Sequence, residues 1–172
     1  MNITGGKYNG RKVMAPDESI TRPTLSKIRM GVFNSLYSIM GDFEGKTFLD
    51  LFGGSGIMGL EALSRGFDNV FVCEKNSKAI QVIRKNYEML GLTPNLYHGD
   101  ALKFLKTTDK TFDVVYLDPP YESGIYEEVF SLIKGNMIII AEHSSPLNIG
   151  NLYSPLKEKN YGGKCLSFYY LK

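Results

Sequence analysis

Four carboxylates, a glycine loop and a proline-rich tetrapeptide hold the chemistry open to this 172-residue sequence. The tetrapeptide is Asp118-Pro119-Pro120-Tyr121, which follows the apolar run Thr111 to Leu117. Consecutive prolines can continue neither a helix nor a sheet ladder, so the chain must leave its strand there. A carboxylate, rigid backbone carbonyls and an aromatic ring then stand together at the carboxyl end of a strand, where open α/β sheets bind ligands. The set suits a planar heterocycle with an exocyclic amino group. Such a nitrogen is a poor nucleophile, because its lone pair is delocalised into the ring. Asp118 and the carbonyl of Pro119 could each accept one N–H and turn the lone pair outward, contacts that strengthen as positive charge develops. Tyr121 could stack on an extracted base. An isolated Asp-Pro-Pro could equally end a strand, with Asp118 as a cap and Tyr121 covering the core.

The second constellation removes that ambiguity. Asp50-Leu-Phe-Gly53-Gly54-Ser55-Gly56-Ile-Met-Gly59 contains G-x-G-x-x-G between an expected strand and an expected helix, the context the motif requires. Glu74, twenty residues beyond Gly54 and at the end of the next strand-like run, is spaced to bind a ribose hydroxyl pair. A dinucleotide would set its pyrophosphate on the helix start. Asp50 would repel a phosphate there, but it suits an amino acid's ammonium group. Asp100 could accept from an adenine amine, with Ala101 presenting its N–H; Asp100 is equally a good helix N-cap. The combination favours S-adenosyl-L-methionine as co-substrate over a dinucleotide. A dehydrogenase using the same loop and a non-catalytic RNA-binding module are the rival readings.

These residues need a scaffold, and the chain supplies strands and helices in alternation. Strands are expected at Thr47–Phe52, Val70–Glu74, Asn95–His98, Phe112–Leu117 and Met137–Ala141. Helices are expected at Ile57–Arg65, Ser77–Leu90, Ala101–Leu105 and Tyr126–Ile133. A βαβα succession implies a mostly parallel sheet with helices on both faces. Leu156–Asn160 and Lys164–Leu171 flank a Gly162-Gly163 turn, so a hairpin with one antiparallel strand should close the sheet. Asn2–Met14 suggests a second small hairpin. A helix carrying Leu25, Ile28, Val32 and Leu36 follows, capped by Thr21 or Thr24. Residues 1–45 are thus an appendage on a catalytic sheet of residues 46–172, together one methyltransferase-sized domain.

Composition narrows the class further. Hydrophobic content of 43% and charged content of 22% are those of an ordinary globular protein. No apolar run reaches membrane-spanning length, and the first ten residues contain no apolar targeting core, so a cytoplasmic protein without a membrane partner is expected. Two isolated cysteines, Cys73 and Cys165, and two histidines argue against a metal site or a disulfide. His98, His143 and Tyr126 read as structural. Residues 1–30 carry a charge balance of +4 against −2 for the rest. Charge alone reads first as a solvated surface; if it is instead a footprint for phosphate, Lys7, Arg11, Lys12 and Arg22 are the candidate contacts.

The motifs at 48–66, Glu74, Gly99-Asp100 and D-P-P-Y at 118–121 resemble class I S-adenosylmethionine-dependent amino-methyltransferases. More narrowly, I-T-G-G-K-Y-N-G-R-K (3–12), T-R-P-T (21–24), V-F-N-S-L (32–36) and I-I-A-E-H-S (139–144) resemble the bacterial RsmD family. These are the small-subunit ribosomal RNA guanine-N2 methyltransferases. The D-P-P-Y motif alone is shared with DNA adenine-N6 methylases, but those generally carry a target-recognition insert that this chain is too short to hold. The resemblance implies an α/β, Rossmann-like seven-stranded sheet and a guanine in 16S rRNA as acceptor; the small appendage left for recognition leads us to expect an assembled small-subunit particle as the substrate of a monomeric enzyme. It gives Asp50, Gly53, Gly54, Ser55, Gly56, Glu74, Asp100 and Ala101 to the cofactor, with Arg22 and Thr24 near its methionine end or the RNA entrance. Asp118, Pro119, Pro120 and Tyr121 would hold the base. Three positions depart from the family pattern: Gly53 replaces an alanine, Met30 replaces a glutamate, and Ser145–Leu156 is too short for a full crossover helix.

Overall fold

The computed structural model describes residues 1–17, 24–120, 124–151 and 153–171. Its centre is the strand β1 (Thr47–Asp50), flanked by β2 (Asn69–Glu74) on one side and β4 (Val114–Leu117) on the other. Beyond these lie β3 (Asn95–His98) and β5 (Ile138–His143), all five parallel. The last two strands, β6 (Tyr153–Tyr161) and β7 (Lys164–Leu171), complete the order β3-β2-β1-β4-β5-β7-β6. Only β7 runs against the rest, because the Gly162-Gly163 turn folds it back between β5 and β6. The seven-stranded, Rossmann-like α/β sheet with one antiparallel strand is therefore present.

Side-chain alternation builds a layer on each face. Phe48, Val114, Tyr116 and Ile140 point to one cluster, shared with α1 (Ser26–Met40), α2 (Ile57–Ser64) and α3 (Ser77–Glu88). Leu49, Val115, Leu117 and Ile139 point to the other, under α4 (Ala101–Thr107) and α5 (Ile125–Leu132). Both faces being covered explains why β4 is buried at every position, as parallel strands require. The exposed edge strand β6 instead carries Lys157, Glu158 and Lys159, with a register shift after Pro155. Charge and irregularity of this kind discourage edge-to-edge pairing.

Several boundaries differ from the sequence reading. Strand β1 stops at Asp50, not Phe52, since Gly53 turns the chain back to donate to the Cys73 carbonyl at 2.8 Å. Strand β4 begins at Val114 and β6 at Tyr153, three residues before the expected Leu156. The described part of the β5–β6 connection, residues 144–151, holds no helix. Helix α1 begins at Ser26 behind Leu25, whose side chain makes no cap hydrogen bond and is 55% exposed. Thr24 thus does not cap the helix; its carbonyl accepts from Arg29. Thr21 lies outside the described residues.

The N-terminal hairpin is real and tightly held. Asn2 bridges Lys12, Ile3 N–H donates to Arg11 at 3.0 Å, and Gly6 and Gly10 take positive φ at the turns. Ile3 and Val13 are buried in the same cluster as Phe48 and Leu60. Thr4 donates through its amide and hydroxyl to Glu61 of α2, both at 2.8 Å. Glu61 also pairs with Arg29 at 3.1 Å, and both are essentially solvent-free. Arg29 therefore belongs to the core rather than to the basic surface that the charge balance of the first thirty residues suggested.

Candidate active site

The sheet reverses its winding between β1 and β4, since successive strands are added outward on opposite sides of that pair. Such a switch point opens a crevice beyond the strand ends. A cavity lies there, lined by Asp50, Phe52, Gly53, Gly54, Ser55, Tyr116 and Asp118 and bounded by Pro16 and Thr24 from the N-terminal segment. Residues 118 and 50, sixty-eight positions apart, thus share one space with the glycine loop.

The loop's shape follows from its glycines. Gly54 and Gly56 have φ of 55° and 77°, in the left-handed region that a Cβ disfavours. A Cβ on Gly53 would come within 2.4 Å of Val72, so the glycine that departs from the family pattern matches close packing on β2. Gly56 is not part of the cavity wall; it turns the chain into α2, with its N–H on Gly53 O at 2.7 Å. The Ser55 hydroxyl accepts from Ile57 N–H at 3.3 Å. The Glu74 carboxylate accepts from Gly54 N–H at 2.9 Å and Asn76 N–H at 2.7 Å, tying the loop to the end of β2.

Burial gives this site its electrostatic character. Asp50 is 1% exposed, and neither carboxylate oxygen has a hydrogen-bond partner. Loss of water, and then the charges of Glu74 and Asp118, push its pKa up to about 7; the nearby amides of Phe52 and Gly59 offset part of the rise without bonding to it. Asp118 is also raised to about 7, by desolvation and by Glu142, with Lys164 opposing. The Cys73 thiol is pushed up to about 12 by burial and by Glu74, Asp50 and Asp100, which makes it a packing residue and no nucleophile. An unpaired buried carboxylate among other acids is a site for a cation.

Three residues that sequence reasoning missed bear on the site, two of them at Asp118. Glu142 of β5 is buried, accepts from the Tyr116 hydroxyl at 2.7 Å and pairs closely with Lys164 of β7. Lys164 Nζ also stands 4.0 Å from Asp118 Oδ1. An acid within Ile138-Ile-Ile-Ala-Glu142 was a visible anomaly. Its partners depended on the pairing of β5 with β7, which puts Glu142 opposite Leu166 and next to the hairpin turn. Asn86 is the third. It is buried in α3, exchanges two 2.9 Å hydrogen bonds with the Met14 backbone, and donates to Ser55 O at 2.9 Å. One amide thus clamps the N-terminal segment and the glycine loop together.

The remaining expected residues fall in three groups. Asp100 caps α4, accepting from Lys103 N–H at 2.9 Å, and Ala101 is buried beside it. Both adjoin the ends of β2 and β3 and stand apart from the wall that holds Asp50. Pro119 and Pro120 end β4 as expected, whereas Tyr121 and Arg22 lie outside the described residues. Lys7, Arg11 and Lys12 are exposed, but not at the crevice. Lys7 N–H donates to Ser64 O at the far end of α2, and Arg11 reaches Met89 O past the end of α3. His143 bonds Ser145 O and Ser167 Oγ, and His98 meets Ser77, both structural. Among the described residues no acid, His or Cys cluster could hold a metal ion.

Known proteins share this arrangement. The family described as "Conserved hypothetical protein 95" matches residues 1–170. Ribosomal RNA small subunit methyltransferase D of Escherichia coli is 34% identical over 79% of this chain and 68% of its own. YlbH of Bacillus subtilis is 34% identical over 94% of both chains. The solved structure of yhhF from Escherichia coli superposes with a TM-score of 0.88 at 27% identity, covering 100% of this chain and 98% of that one. The family match, the identity over nearly the whole length and the superposition agree: the chain belongs to the RsmD family of methyltransferases.

Proposed function

We propose that this protein methylates the exocyclic N2 of a guanine in small-subunit (16S) ribosomal RNA, with S-adenosyl-L-methionine as donor. The observation that carries the reading is Asp50: a buried carboxylate with both oxygens unpartnered, on one cavity with the glycine loop and Asp118. S-adenosyl-L-methionine, when bound, supplies an electrophilic methyl group on a positively charged sulfonium. Asp50 would hold its ammonium group, Glu74 its ribose hydroxyls, and Asp100 with the Ala101 N–H its adenine. The backbone at Gly53, Gly54 and Ser55, with Thr24, would line the methionine end. A pyrophosphate fits poorly, because it would be buried against Asp50, Glu74 and Asp118.

Asp118 and the Pro119 carbonyl accept the two N–H groups of the guanine amine and orient its lone pair. The nitrogen must shed a proton as it gains the methyl, and Asp118, with its pKa near neutrality, can take it. Ribosomal RNA as substrate is supported by the Escherichia coli relative's name. An assembled particle as the substrate, a monomeric enzyme and a cytoplasmic location complete the reading. Among the described residues, no helix is long and apolar enough to cross a membrane.

Calorimetry tests the donor: binding of S-adenosyl-L-methionine and not of NAD is expected, and the reverse removes the reading. Asp118→Ala should abolish transfer to small-subunit rRNA while leaving donor affinity within about threefold. Mass mapping of methylated guanines from cells with and without the protein identifies the acceptor.

A further inference from the structure

A second concavity lies away from the crevice and shares no residue with it. It is a groove of about 390 Å³ lined by Gly6, Phe33, Asn34, Tyr37, Phe43 and Arg65. That volume is in the range of small-ligand pockets, about 300–1,000 Å³. Its place is the far end of α1: Tyr37 stands eleven residues after Ser26, about 16 Å along the helix.

The groove has an aromatic wall and a fixed cation. Tyr37 is 63% exposed and stands edge-on to Phe43, with ring centroids 6.2 Å apart. The Arg65 guanidinium lies 5.1 Å over the Phe33 ring, and is held by Glu61 at 3.3 Å and the Thr4 hydroxyl at 2.9 Å. Glu61 also neutralises Arg29, so one carboxylate serves two guanidiniums and the trio keeps a net charge of +1. Lys7 is exposed next to Gly6, and Gly6 must be glycine, since a Cβ there would fall 1.8 Å from Ser64 O. The exposed acids Asp42 and Glu44 flank Phe43 in the chain. A ligand there would set an anionic part toward Arg65 and a ring toward Tyr37. Asn34 offers an amide that can pair with a base edge.

We propose that this groove binds one unstacked nucleotide of the RNA substrate, its base against Tyr37 and its phosphate at Arg65, as an anchor remote from the methylated base. Helix α1 links the two sites. Lys27, Met30, Asn34 and Tyr37 fall on one stripe of it, and the helix contains no carboxylate to repel a phosphate backbone. The anchor would let a small enzyme hold RNA at two points, with the catalytic crevice reading the target base.

The inference rests on RNA being the substrate, and its test separates the two claims. Affinities of the wild type, Tyr37→Ala, Tyr37→Trp and Arg65→Lys are measured for 16S rRNA, for immature small-subunit particles and for S-adenosyl-L-methionine. Tyr37→Ala should weaken rRNA binding about 5- to 150-fold, as expected for losing one base stack. Tyr37→Trp should retain it, Arg65→Lys should weaken it, and donor affinity should be unchanged throughout. Wild-type rRNA affinity in Tyr37→Ala overturns the anchor and leaves the methyltransferase reading intact. Loss of affinity for particles alone, with rRNA binding unaltered, means that a protein occupies the groove and also overturns the proposal. A wild type that binds neither donor nor rRNA overturns both.

Discussion

At the scale of single residues, the site is a problem in charge. Asp50 and Asp118 both sit near pKa 7 because each loses water and each faces other acids. A carboxylate raised from 3.8 to about 7 on folding stabilises the free protein fully below pH 4 and loses that contribution as pH climbs through 7. Binding a cation at Asp50 demands the opposite state. Donor affinity should therefore rise about tenfold per pH unit below 7 and level off above it, as calorimetry from pH 5.5 to 8.5 would read. Asp50→Asn should flatten that profile, weaken binding and raise the melting temperature of the free protein at pH 8. Lys164 acts in the other direction on Asp118. Lys164→Met should move the acidic limb of kcat/KM to higher pH, with the deficit largest near pH 6.5 and mostly recovered near pH 8.5, while Lys164→Arg keeps the wild-type profile. A uniform loss at every pH would mean that Lys164 only holds Glu142 in place.

At the scale of elements, what decides the site is which segments touch. Asn86, itself buried, joins Met14 and Ser55 across seventy-two and thirty-one residues. Asn86→Ala strands the Met14 and Ser55 backbone groups, a cost of about 1–3 kcal/mol. A fall in melting temperature of about 2–10 °C should follow. Donor affinity should fall with it, because the loop loses its tether, whereas Gln81 and Arg84, on the exposed side of α3, tolerate alanine. The same helix shows what a sequence discloses. The helical spacing of Ile80, Ile83, Tyr87 and Leu90 announced its core face, of which Leu90 falls past the helix end and is half-buried, and the glycine run announced the loop before α2. Strand β3 was legible to the residue, and D-P-P marked the end of β4 through backbone chemistry alone. Thr24 was misread as a cap because threonine is a good cap in general, whereas the helix starts one residue too late for it, at Ser26 behind Leu25. Glu142, Lys164 and Asn86 could not be assigned, since each derives its meaning from a partner set by sheet register or helix packing and not by spacing along the chain.

For the whole molecule, the question is how a body of this size reads an RNA. The candidate phosphate contacts do not line the crevice: Lys7 and Arg11 stand at the far ends of α2 and α3, about 12 and 18 Å from the starts of those helices. Arg29, counted with them by charge, is consumed by Glu61 in the core. In the proposed reading this exposed basic surface would carry a phosphate backbone over the N-terminal hairpin while one base enters the crevice. Counterion release makes such a surface measurable. Each phosphate contact adds about 0.9 to the slope of log affinity against log salt for duplex, and about 0.7 for single strands. Reversing Lys7, Arg11 and Lys12 to Glu should lower that slope by about 2–3 and weaken rRNA binding at every sequence tested, with donor affinity unchanged because none of the three lines the crevice. An unchanged slope would reduce these charges to solvated surface and leave Arg65 and the crevice as the points of contact with RNA.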